Sequence, residues 1–173
     1  MAIVISSLEL QGRPNSIRQL LVPIAGRLIS AHRDSDTKSI TYGVLNGSKT
    51  TNSIRDWRFK TKNEDLRGNY IEKWISAGND FSLIFSYLLI LRGQQDNEKE
   101  VFALHCDPNE PTHSKLFKYK SGPHIHVVTE DQKISNAHIA LNISNHKEVI
   151  SSFSKLKVAL NDAIQMISSE MIQ

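Results

Sequence analysis

Residues 124–142 read HIHVVTEDQKISNAHIALN. Two runs of alternating apolar and polar residues flank a polar centre, which is the pattern of two half-buried strands joined by a short turn. Ile125 and Val127 share one face of the first run, with His124 and His126 on the other. Ile139 and Leu141 share a face of the second, and His138 lies opposite with Asn136 and Asn142. Directly opposed residues of antiparallel strands share a face, so a pairing whose residue numbers sum to an even value brings His138 to the side of His124 and His126. A sum of 264 sets His126 against His138 itself. An odd sum would bury His138 with Ile125 and Val127, against the hydrophobic pattern.

Upstream, residues 81–92 and 100–107 are β-rich and separated by a polar stretch, which predicts a hairpin. Phe102, Leu104 and Cys106 share a face, while His105 lies opposite with Val101 and Ala103. A long loop from Pro108 to Gly122 leads into the histidine strand, with Gly122-Pro123 expected to turn the chain through a positive φ at Gly122. Downstream, Val149, Phe153, Leu156, Leu160, Ile164, Ile167 and Met171 step by three or four, predicting a helix of about seven turns with Asn145 and Glu148 as a capping box. The expected fold class is α+β: an antiparallel meander of four or more strands, helices packed on one face, and a long C-terminal helix. That helix is expected to bury Phe153, Leu156, Leu160 and Ile164 against Phe102, Leu104, Ile125, Val127, Ile139 and Leu141, leaving four histidines on the far face. Its stripe also has the spacing that could zip two copies into a homodimer.

The part from 1 to 80 reads as mixed helix and strand within the same single domain, 1–173. A strand is expected at 3–5. A helix follows a cap at Asn15, with Ile17, Leu21, Ile24 and Leu28 on one side and Pro23 kinking or shortening it. Residues 39–45 read as a strand running into an Asn46-Gly47 turn. Residues 64–77 fit a helix, with Leu66, Tyr70, Ile71 and Trp74 on one side and Gly78 as its stop.

Composition sets bounds on function. The chain has 173 residues, of which 39% are hydrophobic and 23% charged, enough for one core without disulfides. Its lone Cys106 is expected to be buried and inert. The most apolar run, 81–91, is far shorter than the ~20 residues that span a bilayer, and no basic leader precedes the first strand, so a soluble, cytoplasmic protein without a membrane partner is expected. The net charge of +3 does not mark a nucleic-acid binder. Residues 111–129 are different, holding Lys115, Lys118 and Lys120 and no acidic residue.

Two imidazoles at alternate strand positions can serve one metal ion, and a third from a neighbouring strand completes a three-ligand catalytic set; His124, His126 and His138 are the candidate ligands, for zinc or manganese, with His105 as fourth ligand or partner. The same rings can act without metal as general base and acid. Asp107 can orient an imidazole or cap a turn. In the loop 113–120, Lys115, Lys118 and Lys120 can neutralise phosphate and Tyr119 can stack on a base, with Phe117 anchoring the loop in the core.

GPHIHVVT (122–129) resembles the signature of the histidine-triad nucleotide hydrolases, with His124 and His126 at two of three alternate positions and Val128 at the third. The resemblance implies that His126 attacks phosphorus. GVLNGSKT (43–50) resembles a P-loop, with Gly43, Lys49 and Thr50 in place and Ser48 where that loop carries Gly. The layout is also similar to small proteins of bacterial defence and toxin–antitoxin modules. The expected function is a hydrolase of phosphodiester or phosphoanhydride bonds, in RNA or a nucleotide, with catalytic His105, His124, His126 and His138. The alternatives are a non-catalytic module binding nucleic acid or a protein partner through loop 113–120, and an accessory subunit of a larger assembly.

Overall fold

The chain opens with strand β1 (Val4–Ser6), whose last residue caps helix α1 (Ser7–Gln11): Ser6 Oγ accepts from the Glu9 amide while the Glu9 carboxylate accepts from the Ser6 amide. Gly12 then separates α1 from α2 (Arg13–Leu21). α2 begins two residues ahead of the expected cap, because Pro14 is tolerated in a first turn. It ends two residues before Pro23, so Ile24 reaches the core from a turn and not from a kinked helix. The computed structural model describes residues 2–25, 30–35, 39–45, 57–58, 66–93, 99–127 and 137–170. Leu28, the Asn46-Gly47 turn, the rest of the P-loop-like segment (46–50), the turn at 130–134 and Met171 lie outside the described residues.

Strands β2 (Ser30–Ser35), β3 (Ser39–Leu45) and β4 (Trp57–Arg58) precede the longest hairpin, β5 (Leu66–Ala77) and β6 (Asp80–Arg92). β5 replaces the helix expected at 64–77. Its inward file is Leu66, Gly68, Tyr70, Glu72 and Trp74, all buried in strict alternation. Glycine and a carboxylate in that file hide the period of two, leaving an accidental helical spacing of the large residues. Gly78, expected to stop a helix, instead takes φ 68° at the first of two turn residues between Ala77 and Asp80, a conformation open to glycine.

The hairpin continues through β7 (Lys99–Cys106), the short helix α3 (Phe117–Lys120), β8 (His124–Val127) and β9 (Ala137–Ala140). Helices α4 (His146–Val149) and α5 (Phe153–Glu170) complete the described chain. All strand pairs are antiparallel, in the order β2-β3-β5-β6-β7-β8-β9, with β1 beside β6 and β4 beside β5. The fold is α+β, and its meander is larger than the four strands read from 81–142.

The C-terminal helix is divided. Asn145 makes no side-chain cap; α4 ends at Val149, and Ser152 then starts α5 by accepting from the Lys155 amide. α5 spans 18 residues, about five turns, and buries Leu156, Ala159, Leu160, Ala163, Ile164 and Ile167 in the core shared with α2 and the sheet. The stripe proposed to zip two copies together is thus packed inside one chain. Each large apolar side chain buried there contributes roughly 1.5–3 kcal/mol. Ile139 departs from expectation: it is 51% exposed, because β9 is the outermost of the described strands on its side.

Beneath the helices sits a buried ion pair. Both guanidinium nitrogens Nε and Nη2 of Arg13 donate to Glu72, whose carboxylate also accepts from Tyr70 Oη at 2.6 Å and Trp74 Nε1 at 3.0 Å. Arg13 lies over the Phe153 ring, which meets Trp74 edge-on.

Candidate metal centre

The expected register is present. His126 pairs with His138 and His124 with Ala140, while on the other side His105 pairs with His124 and Ala103 with His126. Phe102, Leu104 and Cys106 fill the core face of β7, so His105, His124, His126 and His138 gather on the opposite face of the sheet. Ring centroids lie 5.7 Å apart for His105–His124, 5.5 Å for His105–His126, 5.4 Å for His124–His138 and 5.0 Å for His126–His138. Tyr87 of β6 stacks on His105 at 5.6 Å and extends this aromatic floor.

Asp107, two residues beyond His105, projects from the same face. Its Oδ2 is 3.8 Å from His124 Nε2. His105, Asp107 and His124 each offer a ligand atom, all within 4.8 Å of one another, and among the described residues they form a group that could hold a metal ion. His124 is shared with the trio expected from sequence, whereas His105 and Asp107 stand where His126 and His138 were expected.

The protonation of His124 follows from its partners. Nδ1 is 3.0 Å from the Gly122 carbonyl, which can only accept, so Nδ1 carries the hydrogen. Nε2 is left with a bare lone pair that is enclosed and has no hydrogen-bond partner. Such an orphaned buried atom costs roughly 1–3 kcal/mol. A ring held by a backbone carbonyl at one nitrogen and free at the other is the arrangement that metal-ligating histidines use. Gly122 is not in the left-handed region, contrary to expectation; its contribution is this carbonyl.

Burial and neighbouring charges set the protonation of these side chains. Burial, then the neighbouring charges of His124, His126, His138 and Lys120, push His105 down to about 4. Burial also pushes His124 down to about 4, with His138, Lys120 and His126 acting in the same direction and the Gly122 carbonyl opposing. His138 is lowered by burial and by Lys120. Burial raises Asp107 to about 6 against the pull of Lys120. At neutral pH the group is therefore two neutral imidazoles and a carboxylate, which is the state a divalent cation requires.

The basic loop divides. Lys120 is felt by three of the histidines and lies behind Asp107, whose amide donates to the Lys120 carbonyl. Lys115 and Lys118 are exposed, and Lys118 Nζ sits 4.8 Å over the Tyr119 ring. Phe117 packs against the core and edge-on to His146, as its anchoring role requires. Cys106 is buried with its thiol pushed well up, so it is inert.

Sequence alternation missed Glu100. Counted back from Phe102, it belongs to the core face. The ladder pairs Ile90 with Phe102 but Leu91 with Glu100, so Val101 is an extra residue in a β-bulge and Glu100 emerges among the histidines. Its Oε1 lies 3.4 Å from His126 Nδ1. A carboxylate directly ahead of the apolar run 101–104 was the available signal.

Comparison with protein families, characterised proteins and solved structures gives no significant match. The likeness to histidine-triad hydrolases thus rests on His124 and His126 alone. Among the described residues no helix is long and apolar enough to cross a membrane.

Proposed function

We propose that this protein is a metal-dependent hydrolase of phosphodiester or phosphoanhydride bonds, working on RNA or a nucleotide, with His105, Asp107 and His124 holding zinc or manganese. One observation carries the reading: the enclosed lone pair of His124 Nε2, locked by the Gly122 carbonyl and facing Asp107. Three protein ligands of this composition leave positions for water and substrate, and the ion supplies an activated water together with charge neutralisation at phosphorus. Lys120 contributes a fixed positive charge beside the ligands that suits a phosphate oxygen. His126 and His138, on the more exposed side of the cluster, are placed to exchange protons with the attacking and leaving groups. The cytoplasm is the proposed place of action.

The test is the metal content of protein purified without a histidine tag, together with hydrolysis of a chromogenic phosphodiester. Near-stoichiometric metal and metal-dependent turnover, both lost in His124→Ala, are expected. A folded protein that takes up no divalent ion would sink the reading and favour the binding module of loop 113–120.

A further inference from the structure

We infer that Tyr87 and Phe85 form a stacking platform beside the metal centre for an unpaired base of a single-stranded nucleic acid, with Lys73 meeting an adjoining phosphate. The place of the scissile phosphate rests on the centre proposed above; the stacking contact itself needs no ion.

The starting observation is the position of two aromatic rings. Of the five phenylalanines among the described residues, Phe81, Phe102, Phe117 and Phe153 lie in or against the core, and Phe85 does not. Its ring stacks on Tyr87 at 5.8 Å with 19° between the planes, and Tyr87 stacks in turn on His105 at 5.6 Å and 29°. Phe85 and Tyr87 are both half-buried and keep part of their surface open. Neighbouring aromatic rings on the face of a sheet are a surface on which unpaired bases stack.

The backbone is arranged to bring them here. Leu83 is buried in the core, and strict alternation from it would send Phe85 and Tyr87 the same way. The ladder pairs Trp74 with Leu83 but Lys73 with Phe85, so Ile84 is the extra residue of a β-bulge and both rings turn to the histidine side. With the bulge at Val101, two neighbouring strands each spend one residue to hand side chains to that face.

Register then fixes what surrounds the rings. Tyr87 pairs with His105 on one side and with Ile71 on the other, while Phe85 pairs with Lys73. Continued one step past the Ser86–Cys106 pair, the same register sets Phe85 in line with Asp107. Three adjacent strands, about 4.8 Å apart, thus present the ligands His105 and Asp107, then the two rings, then an ammonium group. A nucleic-acid strand with one phosphate at the ion would lay its base across the rings and carry its next phosphate toward Lys73. An isolated nucleotide would leave Lys73 unused, so the ligand that matches the whole track is a chain.

Fluorescence anisotropy of the full chain with a short labelled oligoadenylate RNA tests the inference, in chelator so that no metal-dependent cleavage intervenes. The wild type should bind the single strand, and more tightly than the same strand annealed to its complement, whose bases are already stacked. Phe85→Ala and Tyr87→Ala should each weaken binding at least about fivefold, whereas Phe85→Tyr and Tyr87→Phe, which keep the ring, should bind within about twofold of the wild type. Lys73→Gln should lower the slope of affinity against salt by about 0.7, the share of one phosphate contact on a single strand. A wild type that does not bind the strand overturns the platform, as does equal affinity for strand and duplex. Metal content separates this inference from the reading it extends. Ion uptake together with undiminished RNA binding in both folded alanine variants keeps the metal centre and rejects the platform. Ring-dependent RNA binding without ion uptake keeps the platform and rejects the metal centre.

Discussion

One sheet carries two buried polar clusters, one on each face, and they are built in opposite ways. On the helix side, the Glu72 carboxylate receives four hydrogen bonds, from Arg13 twice, Tyr70 and Trp74. On the other side, His124 Nε2 and Glu100 Oε1 are enclosed without partners. Desolvating a charge is tolerable when every lone pair is met, and an incomplete set is costly. The saturated cluster has nothing left with which to bind and serves to fix α2 on the sheet. The unsaturated one retains ligating capacity at the expense of stability, as functional sites do.

The comparison breaks most visibly at Glu72. Glu72→Ala should cost about 3–5 kcal/mol in urea unfolding, because it strands the buried Arg13. Replacing both partners by leucine should recover most of that loss. A small effect for the single substitution would mean that the pair is solvated and not structural.

At His124 the expected sign reverses. His124→Leu removes an unpaired buried nitrogen worth about 1–3 kcal/mol but also takes from the Gly122 carbonyl a hydrogen bond worth about 0.5–1.5 kcal/mol, so metal-free protein should gain about 1 kcal/mol and no longer take up an ion. Destabilisation without added metal would show that the ring is already satisfied and would undercut the contrast.

Acid should separate the clusters. His105 and His124 titrate near 6.5 unfolded but at about 4 folded. Between those values the unfolded chain holds more protons, so metal-free protein should lose stability as pH falls from about 6.5 to about 4. Asp107, raised to about 6, takes its proton first in the folded state and offsets part of that loss. Burial pushes Glu72 up, but the charge and hydrogen bonds of Arg13, with Tyr70 and Trp74, outweigh it and hold the carboxyl below its usual range. Its contribution should persist until the pH drops below about 4.5, through that lowered value. Thermal unfolding from pH 7 to 3 should show the histidine slope first, and Glu72→Gln should leave that first slope unchanged.

The smallest effects concern glycines. Gly78→Ala should cost about 1 kcal/mol, since φ 68° disfavours a side chain. Gly122→Ala should change stability by less than about 0.5 kcal/mol, because its new methyl would meet His146, Val149 and Ile150 only at 3.9–4.0 Å. Metal binding should survive it, as the carbonyl remains. A large loss would show that the loop needs more room than this.

The half of the molecule that carries the site was legible because strand alternation in 102–106, 124–127 and 137–140 is unbroken there. It yielded the shared face and the His126–His138 register, and it brought Asp107 into view. The first half resisted for an identifiable reason. Glu72 occupies an inward position that is tolerable only because Arg13, 59 residues away, meets it. No local pattern carries that information. Glu100 was hidden by the same kind of nonlocality, since a bulge is a property of two paired strands. The break between α4 and α5 fell at consecutive serines that the apolar stripe ran straight across.

The bulge at Val101 can also be viewed as a change of reading frame. Alternation in a strand is a two-letter code, in or out, and one unpaired residue shifts every letter on its far side. β7 thereby writes Glu100 and His105 in different frames of a single eight-residue word. Excising Val101 is then a frame-restoring edit: the ladder closes and Glu100 stays with the histidines. Any pattern that looks for the residues of this face by strict alternation must therefore allow one silent position between Glu100 and His105.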